Sequence, residues 1–408
     1  MEYGLIGEHL KHSFSKQIHE YIAGYNYEIK EIKKEDLSSF LSARQFKAIN
    51  VTIPYKESVI PYLDYISPEA KEMGAVNCIV NKNGKLYGYN SDVYGFIALV
   101  NKLGLSIKGK TCLILGNGGA SKAVKAAFKS LGAKEILVAS IFNEPGCLTY
   151  EEIKEHKEIE IIANATPVGM YPKNEDKLIS LDYFPSLEGY LDVIYNPLRT
   201  NSVLEAESRG IKSESGLYML VAQAVKAIEI FLDKKLDPNV LDKTYKMILK
   251  EHQNIVLIGM PSSGKSTIAK LLADKNHLEL IDLDEEIIKM IKMPIKDYFA
   301  KYGEAKFREV ESEVIKNIYQ GAPKVISTGG GAILNEDNVR RLKQNGVLYF
   351  IKRDLDKLVA TDDRPLSNDL EKLKKIYEVR LPIYVKVADK IIDNNGDIKD
   401  TLSQFEEE

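Results

Sequence analysis

The segment Gly259-Met260-Pro261-Ser262-Ser263-Gly264-Lys265-Ser266 carries the most specific chemistry in this chain. It sets two glycines around four residues and closes with Lys-Ser, directly after the apolar run 254–258 and before a helix-forming run that begins at Thr267. Glycines let the backbone wrap phosphate oxygens, helix amides supply positive potential, the lysine reaches terminal phosphates and the hydroxyl ligates Mg²⁺. Binding of ATP or GTP is expected. Downstream, Asp282 and Asp284 stand two apart at a strand end and face one cleft. Arg308 and Glu311 stand three apart and share a helix face. The triplet Gly329-Gly330-Gly331 follows another apolar run, and Arg364 and Arg380 come later. Taken singly, the aspartates read equally as helix caps, Arg308–Glu311 as a surface ion pair and the glycines as a turn.

A second constellation lies upstream. Gly116-Asn117-Gly118-Gly119-Ala120-Ser121 sits between an apolar strand and a helix as a dinucleotide-type phosphate turn, with Ser121 where a third Gly or Ala is usual. Taken alone it is also an ordinary strand–helix turn. The next strand ends in Ala139, Ser140 and Ile141, which offer neither the acidic residue typical of an NAD site nor the arginine of an NADP site; Lys122 is a nearby cation.

The elements that must position these residues alternate. Apolar runs at 110–116, 135–140 and 159–166, with a helix from Ala120, read as βαβ units on a parallel sheet. A polar helix-forming stretch, 233–253, interrupts the pattern before 254–259 restarts it, which puts a domain boundary near residue 250. The expected organisation is α/β throughout: a lobe over 1–100 with strands at 3–7 and 46–53, a second lobe over 101–245, and a nucleotide-binding domain over 250–408 with strands at 324–329 and 346–352. The last helix of the second lobe is free to return to the first, and a cleft between lobes is a common ligand site.

Composition excludes several classes. A net charge of −3, with basic and acidic residues spread along 408 positions, provides no global basic field for nucleic acid. Cys78, Cys112 and Cys147 have no paired spacing, as expected of reduced thiols, and no run of about 18 apolar residues occurs. A cytoplasmic enzyme acting on small molecules, without membrane or nucleic-acid partners, is the expectation.

The segments 12-HSFSKQIHE-20, 50-NVTIPYKE-57, 74-GAVNCI-79, 88-GYNSDVYGF-96, 164-NATPVGM-170, 192-DVIYNP-197 and 216-GLYMLVAQA-224, with the glycine turn, resemble shikimate dehydrogenase over roughly residues 1–230. From residue 254 to about 390, the phosphate loop, 281-IDLDEEI-287, 303-GEAKFREVE-311, 327-STGGGAI-333, 364-RPL-366 and 380-RLPIY-384 resemble shikimate kinase. The resemblance implies a two-lobed dehydrogenase with a Rossmann-like cofactor lobe, followed by a P-loop kinase with a parallel sheet.

It also implies roles. Lys56 and Asp92 match the pair that handles the proton when a ketone is reduced, although alone they would pass as a solvated lysine and a helix cap. Ser13 and Ser15 would bind the substrate carboxylate, and Thr52, Asn77 and Gln223 its ring hydroxyls. Thr166 and Met219 would lie near the nicotinamide, with Gly116, Asn117, Gly118, Gly119, Ala120 and Ser140 along the rest of the cofactor. In the kinase, Asp284, Arg308, Gly330, Gly331 and Arg380 would bind shikimate, Asp284 would orient or deprotonate the attacking hydroxyl, and Asp282 with Ser266 would hold Mg²⁺. Gly259, Ser262, Ser263, Gly264, Lys265 and Thr267 would cradle ATP, with Arg364 on a short lid. The implied activity is NADP-dependent reduction of 3-dehydroshikimate followed by ATP-dependent phosphorylation of shikimate. The competing readings are a quinate-type dehydrogenase fused to another small-acid kinase, and a nucleotide-sensing regulator.

Overall fold

The computed structural model describes residues 1–10, 14–142, 144–358 and 370–406. Ser13 and Arg364 lie outside the described residues. The chain divides into two compact units, Met1–Ile248 and Leu249–Glu408.

The first unit holds two sheets. One is six-stranded, in the order β2-β1-β3-β5-β6-β4, built from β1 (Tyr3–Gly7), β2 (Tyr27–Glu31), β3 (Ala48–Val51), β4 (Tyr65–Ile66), β5 (Cys78–Lys82) and β6 (Lys85–Tyr89). β3 and β6 both run antiparallel to β5, with Asn50 opposite Cys78 and Cys78 opposite Tyr89. One sheet edge therefore delivers the segments after β3, before β5 and after β6, which contain Lys56, Asn77 and Asp92.

The other sheet is five-stranded and parallel, in the order β11-β10-β9-β7-β8: β7 (Thr111–Leu115), β8 (Glu135–Ala139), β9 (Ile161–Asn164), β10 (Gly189–Asp192) and β11 (Lys212–Glu214). Every residue of β7 is buried, as an uninterrupted apolar strand covered on both faces must be. Leu115 pairs with Ala139 and Asn164, so the glycine turn, Ser140 and Thr166 leave the sheet at one edge. Ligands collect at the carboxyl edge of such sheets.

The helices Asp92–Lys102 and Leu217–Leu232 approach closely because Gly95 has no side chain; a Cβ there would sit 2.7 Å from the Met219 carbonyl oxygen. Leu217–Leu232 also buries Ala227 and Phe231 against Leu5, Tyr27, Cys78 and Val80 of the first sheet.

The second unit carries a parallel sheet in the order β13-β14-β12-β15-β16: β12 (Asn254–Ile258), β13 (Glu279–Asp282), β14 (Lys324–Ser327), β15 (Gly346–Lys352) and β16 (Lys390–Asp393). Leu257 pairs with Ser327 and Ser327 with Asp282, so the phosphate loop, the aspartates and the glycine triplet emerge side by side. The helical run Ile295–Ile318 breaks at Gly303 (φ 81°), and its second part carries Arg308 and Glu311. No helix of the described residues is long and apolar enough to cross a membrane.

Candidate functional site

In the first unit, Lys56 Nζ donates to Asp92 Oδ2 over 2.6 Å. Asn77 Nδ2 donates to the other oxygen of Asp92 over 2.8 Å and to Ser91 Oγ over 3.1 Å, and Asn77 Oδ1 accepts from the Ser91 amide. Ser91 Oγ in turn donates to Gln223 Oε1, and Gln223 Nε2 to the Leu220 carbonyl. Asn77, Ser91 and Asp92 are buried, so the ion pair is shielded from water and stronger for it.

The cap reading of Asp92 is corrected by this arrangement. The helix begins at Asp92, but the side chain that accepts the Asp92 amide is Asn90, and the Asp92 carboxylate points to Lys56 instead. Two further expectations meet a more committed geometry. The Asn77 amide is engaged with Asp92 and Ser91, so it holds the carboxylate in place; Met219 is buried in the core between helix and sheet. Ser15 is buried at the start of the helix Ser15–Ala23, and Thr52 is half-buried with its methyl group against Gly7.

At the carboxyl edge of the second sheet, Gly116 has φ 99°, and a Cβ there would meet Thr166 Cγ2 at 2.6 Å. Gly118 and Gly119 face open space at the start of the helix Gly119–Ser130, whose N-cap Gly118 supplies no side-chain cap. Open space above uncapped helix amides fits the pyrophosphate of a dinucleotide. Ser121 Oγ is turned back to the Gly118 carbonyl at 2.6 Å, and the Ser140 hydroxyl accepts from the Phe142 amide.

Behind Thr166 lies a buried network that the residue pattern did not reveal. Asn164 Oδ1 accepts from the amide and hydroxyl of Thr166, and Asn164 Nδ2 donates to both oxygens of Asp192 at 3.2 Å. Asp192 also accepts from the Ile194 amide and Thr200 Oγ1. Burial pushes its carboxyl up to about 7 against these donors, which favour the anion. Because the folded pKa exceeds the unfolded value of about 4, the folded chain retains a proton between these pH values that the unfolded chain releases. The stability contribution therefore falls as pH rises through this window and levels off above about 7. The difference in melting temperature between the wild type and Asp192→Asn is expected to move toward the variant from pH 4.5 to 7.5; parallel curves would refute it.

In the second unit, Lys265 Nζ donates to the carbonyls of Gly259 and Met260 at 2.9 Å each, curled into the loop it is expected to share with phosphate. Ser262 and Gly264 take positive φ, and Gly259 lies against the Ile351 carbonyl where a Cβ would come within 2.8 Å. Ser266 Oγ donates to Asp282 Oδ2 over 3.1 Å, while Asp282 Oδ1 caps the next helix through the Asp284 amide. The cap reading of Asp282 thus holds. Two oxygens suit Mg²⁺, which takes few protein ligands and completes its shell with water and phosphate.

Facing the loop, Arg308 donates to Glu311 Oε2 at 2.9 Å and to Glu304 Oε1 at 3.0 Å. Glu311 is 1% exposed, so the surface ion-pair reading fails. Burial raises the Glu311 carboxyl, with Arg308 opposing. Gly329 lies 3.1 Å, measured from an ideal Cβ, from both Asp284 Oδ1 and Glu311 Oε1; at Gly331 such a Cβ would overlap the Arg308 guanidinium. Arg380 Nη1 donates to the Gly330 carbonyl over 2.9 Å, and burial lowers its pKa. Tyr384, one helical turn beyond Arg380, brings its buried hydroxyl to the carbonyls of Gly259 at 2.8 Å and Gly330 at 2.5 Å, linking the phosphate loop to the glycine triplet. Its four-residue spacing from Arg380 was the available signal for that role. Two guanidiniums and Asp284 gather around the glycine triplet, a set of groups suited to an anionic, hydroxylated acceptor.

A family model for shikimate kinase matches residues 261–407, and one for the shikimate dehydrogenase substrate binding domain matches residues 5–79. The shikimate dehydrogenase (NADP(+)) of Clostridium beijerinckii is 39% identical over 267 residues, which are 61% of this chain and 98% of that protein. The solved shikimate dehydrogenase 1 of Peptoclostridium difficile is 40% identical, with a TM-score of 0.56 over 61% of this chain and 98% of its own. Shikimate 5-dehydrogenase of Listeria monocytogenes, solved with shikimate and NAD, is 30% identical, with a TM-score of 0.53 over 60% of this chain and 96% of its own.

Proposed function

Because the chain belongs to the shikimate dehydrogenase family and carries a shikimate kinase domain behind it, we propose that it reduces 3-dehydroshikimate to shikimate and then phosphorylates shikimate on its 3-hydroxyl. It is an enzyme of aromatic biosynthesis with two centres. The observation that carries the proposal is the coexistence of a partly buried Lys56–Asp92 pair in one unit with Lys265, Asp284, Arg308 and Arg380 around the phosphate loop and glycine triplet in the other. A regulator with degenerate sites needs neither set, and far less both.

The proposed division places the substrate lobe at 1–100, the cofactor lobe at 101–245 and the kinase at 250–408, in a cytoplasmic protein. When bound, the dinucleotide supplies hydride, ATP supplies the phosphoryl group and Mg²⁺ offsets its charge. In the first centre Lys56 gives a proton to the carbonyl oxygen as hydride reaches the carbon, and Asp92 orients the ammonium. Ser13 and Ser15 bind the substrate carboxylate, Thr52 and Gln223 its ring hydroxyls, and Asn77 holds the Asp92 carboxylate. The helix amides behind Gly118 and Gly119 face the pyrophosphate. The Clostridium relative is named for NADP(+), and the turn accommodates the diphosphate of either dinucleotide.

In the second centre Arg308 and Arg380 fork onto the acceptor carboxylate, Asp284 accepts the hydroxyl proton, and Lys265 follows the charge on the transferred phosphoryl group. Ser266 and Asp282 would hold the metal, and Arg364 would cover the phosphates. Gly331→Ala is expected to raise the KM for shikimate about tenfold and to lower the melting temperature. The added methyl group pushes the Arg308 guanidinium off its pair with the buried Glu311, and a lost hydrogen bond to a charged group is worth roughly that factor in KM.

Incubating the full chain with 3-dehydroshikimate, reduced nicotinamide dinucleotide and Mg-ATP, with products read by mass spectrometry, tests the whole sequence. Shikimate 3-phosphate is the expected product. Quinate oxidation in preference to shikimate would favour the quinate-type alternative, and no turnover by either centre would favour the regulator.

A further inference from the structure

The ribose end of the dinucleotide pocket departs from what binding a 2′-phosphate requires. The Gly116 amide donates to the Ala139 carbonyl over 2.7 Å, so the glycine turn and the end of β8 are held together, and the loop leaving β8 borders the adenosine half of the cofactor. The described residues of that loop include Ser140, Ile141, Phe142 and Glu144, and in the sequence no lysine or arginine occurs between Lys134 and Lys154. Lys122, the cation on the helix behind the turn, is paired with Glu57 instead.

Glu144 is tied to this place. Its Oε2 accepts from Asn117 Nδ2 over 2.8 Å, which ties a carboxylate to the glycine turn, on the side where a ribose would lie in a fold of this kind. Among the described residues no cation pairs with it. A carboxylate accepts hydrogen bonds from ribose hydroxyls and repels a phosphate dianion. Ile141 and Phe142, 74% and 67% exposed, offer an uncharged apolar surface to the adenine ring.

We propose that the dehydrogenase centre takes NAD(H) in preference to NADP(H), with Glu144 as the residue that determines the choice. The inference rests on the reading of the first unit as a nicotinamide-dependent dehydrogenase, and departs from the cofactor in the Clostridium relative's name on this loop's own residues.

Isothermal titration calorimetry of the full chain with NAD⁺ and with NADP⁺ reads the preference without turnover; steady-state reduction of 3-dehydroshikimate with NADH and NADPH reads it in catalysis. The expected result is binding of NAD⁺ at least about tenfold tighter. Glu144→Gln keeps an oxygen for Asn117 but removes the charge, and should cut the ratio about fivefold or more; Glu144→Arg should invert it. Equal or tighter binding of NADP⁺ by the wild type, or a ratio unmoved by both variants, overturns the proposal while turnover with NADPH keeps the dehydrogenase reading. Selective NAD⁺ binding without turnover of 3-dehydroshikimate supports the specificity and overturns the reaction assigned. Binding of neither dinucleotide overturns both.

Discussion

Lys56→Ala is expected to lower kcat for reduction of 3-dehydroshikimate by about 10²–10⁴, the range of a positioned acid or base, and to leave phosphorylation of added shikimate unchanged. The ammonium is 2.6 Å from Asp92, whose other oxygen is held by Asn77, so the proposed proton donor is already held in place by the fold. The alanine variant also leaves a buried carboxylate without its counter-charge, which endangers the fold of the lobe. Lys56→Gln removes the same charge but offers Asp92 a neutral N–H in its place, so it should lose less melting temperature than the alanine variant while reduction stays lost, with circular dichroism confirming the fold of both. Full reduction activity in either variant would remove Lys56 from the chemistry.

The converse expectation concerns Lys265→Ala, which should lower phosphorylation by about 10²–10³, the loss typical of one electrostatic donor to a developing charge, and spare reduction. Lys265 is 8% exposed and anchored on the Gly259 and Met260 carbonyls, so its ammonium stays within the loop. Removing it leaves the Gly259 carbonyl its bond from the Tyr384 hydroxyl and does not interrupt the strand pairing of the parallel sheet. The two variants together test independence: each single change should silence one reaction. Loss of both reactions in one variant, with the fold intact by circular dichroism, would overturn the two-centre reading.

Both centres were legible in outline because their chemistry is tied to local backbone form. The loop 259–266 must be glycine-rich to wrap phosphate, and Gly116 takes a positive φ beside Thr166 that a larger residue would strain. The alternation of apolar runs with helical segments is likewise a local pattern, which is why the α/β class and the parallel sheets could be read before any contact was known.

The hidden part depends on contacts between residues far apart in the chain. Asp92 passed as a helix cap until the first sheet brought Lys56 beside it. Asp192 was one letter in a motif until β9 and β10 paired it with Asn164. Glu311 looked like half of a surface pair until burial placed it with Asp284 around Gly329. Glu144 gained significance only through its bond to Asn117, a partner 27 positions away. The order of residues alone was enough to specify two glycine turns between strand and helix, because backbone conformation is a local property. Which charges face one another at those turns was settled by folding in three dimensions, because electrostatic partnership depends on distance and burial, and neither is encoded by spacing along the chain.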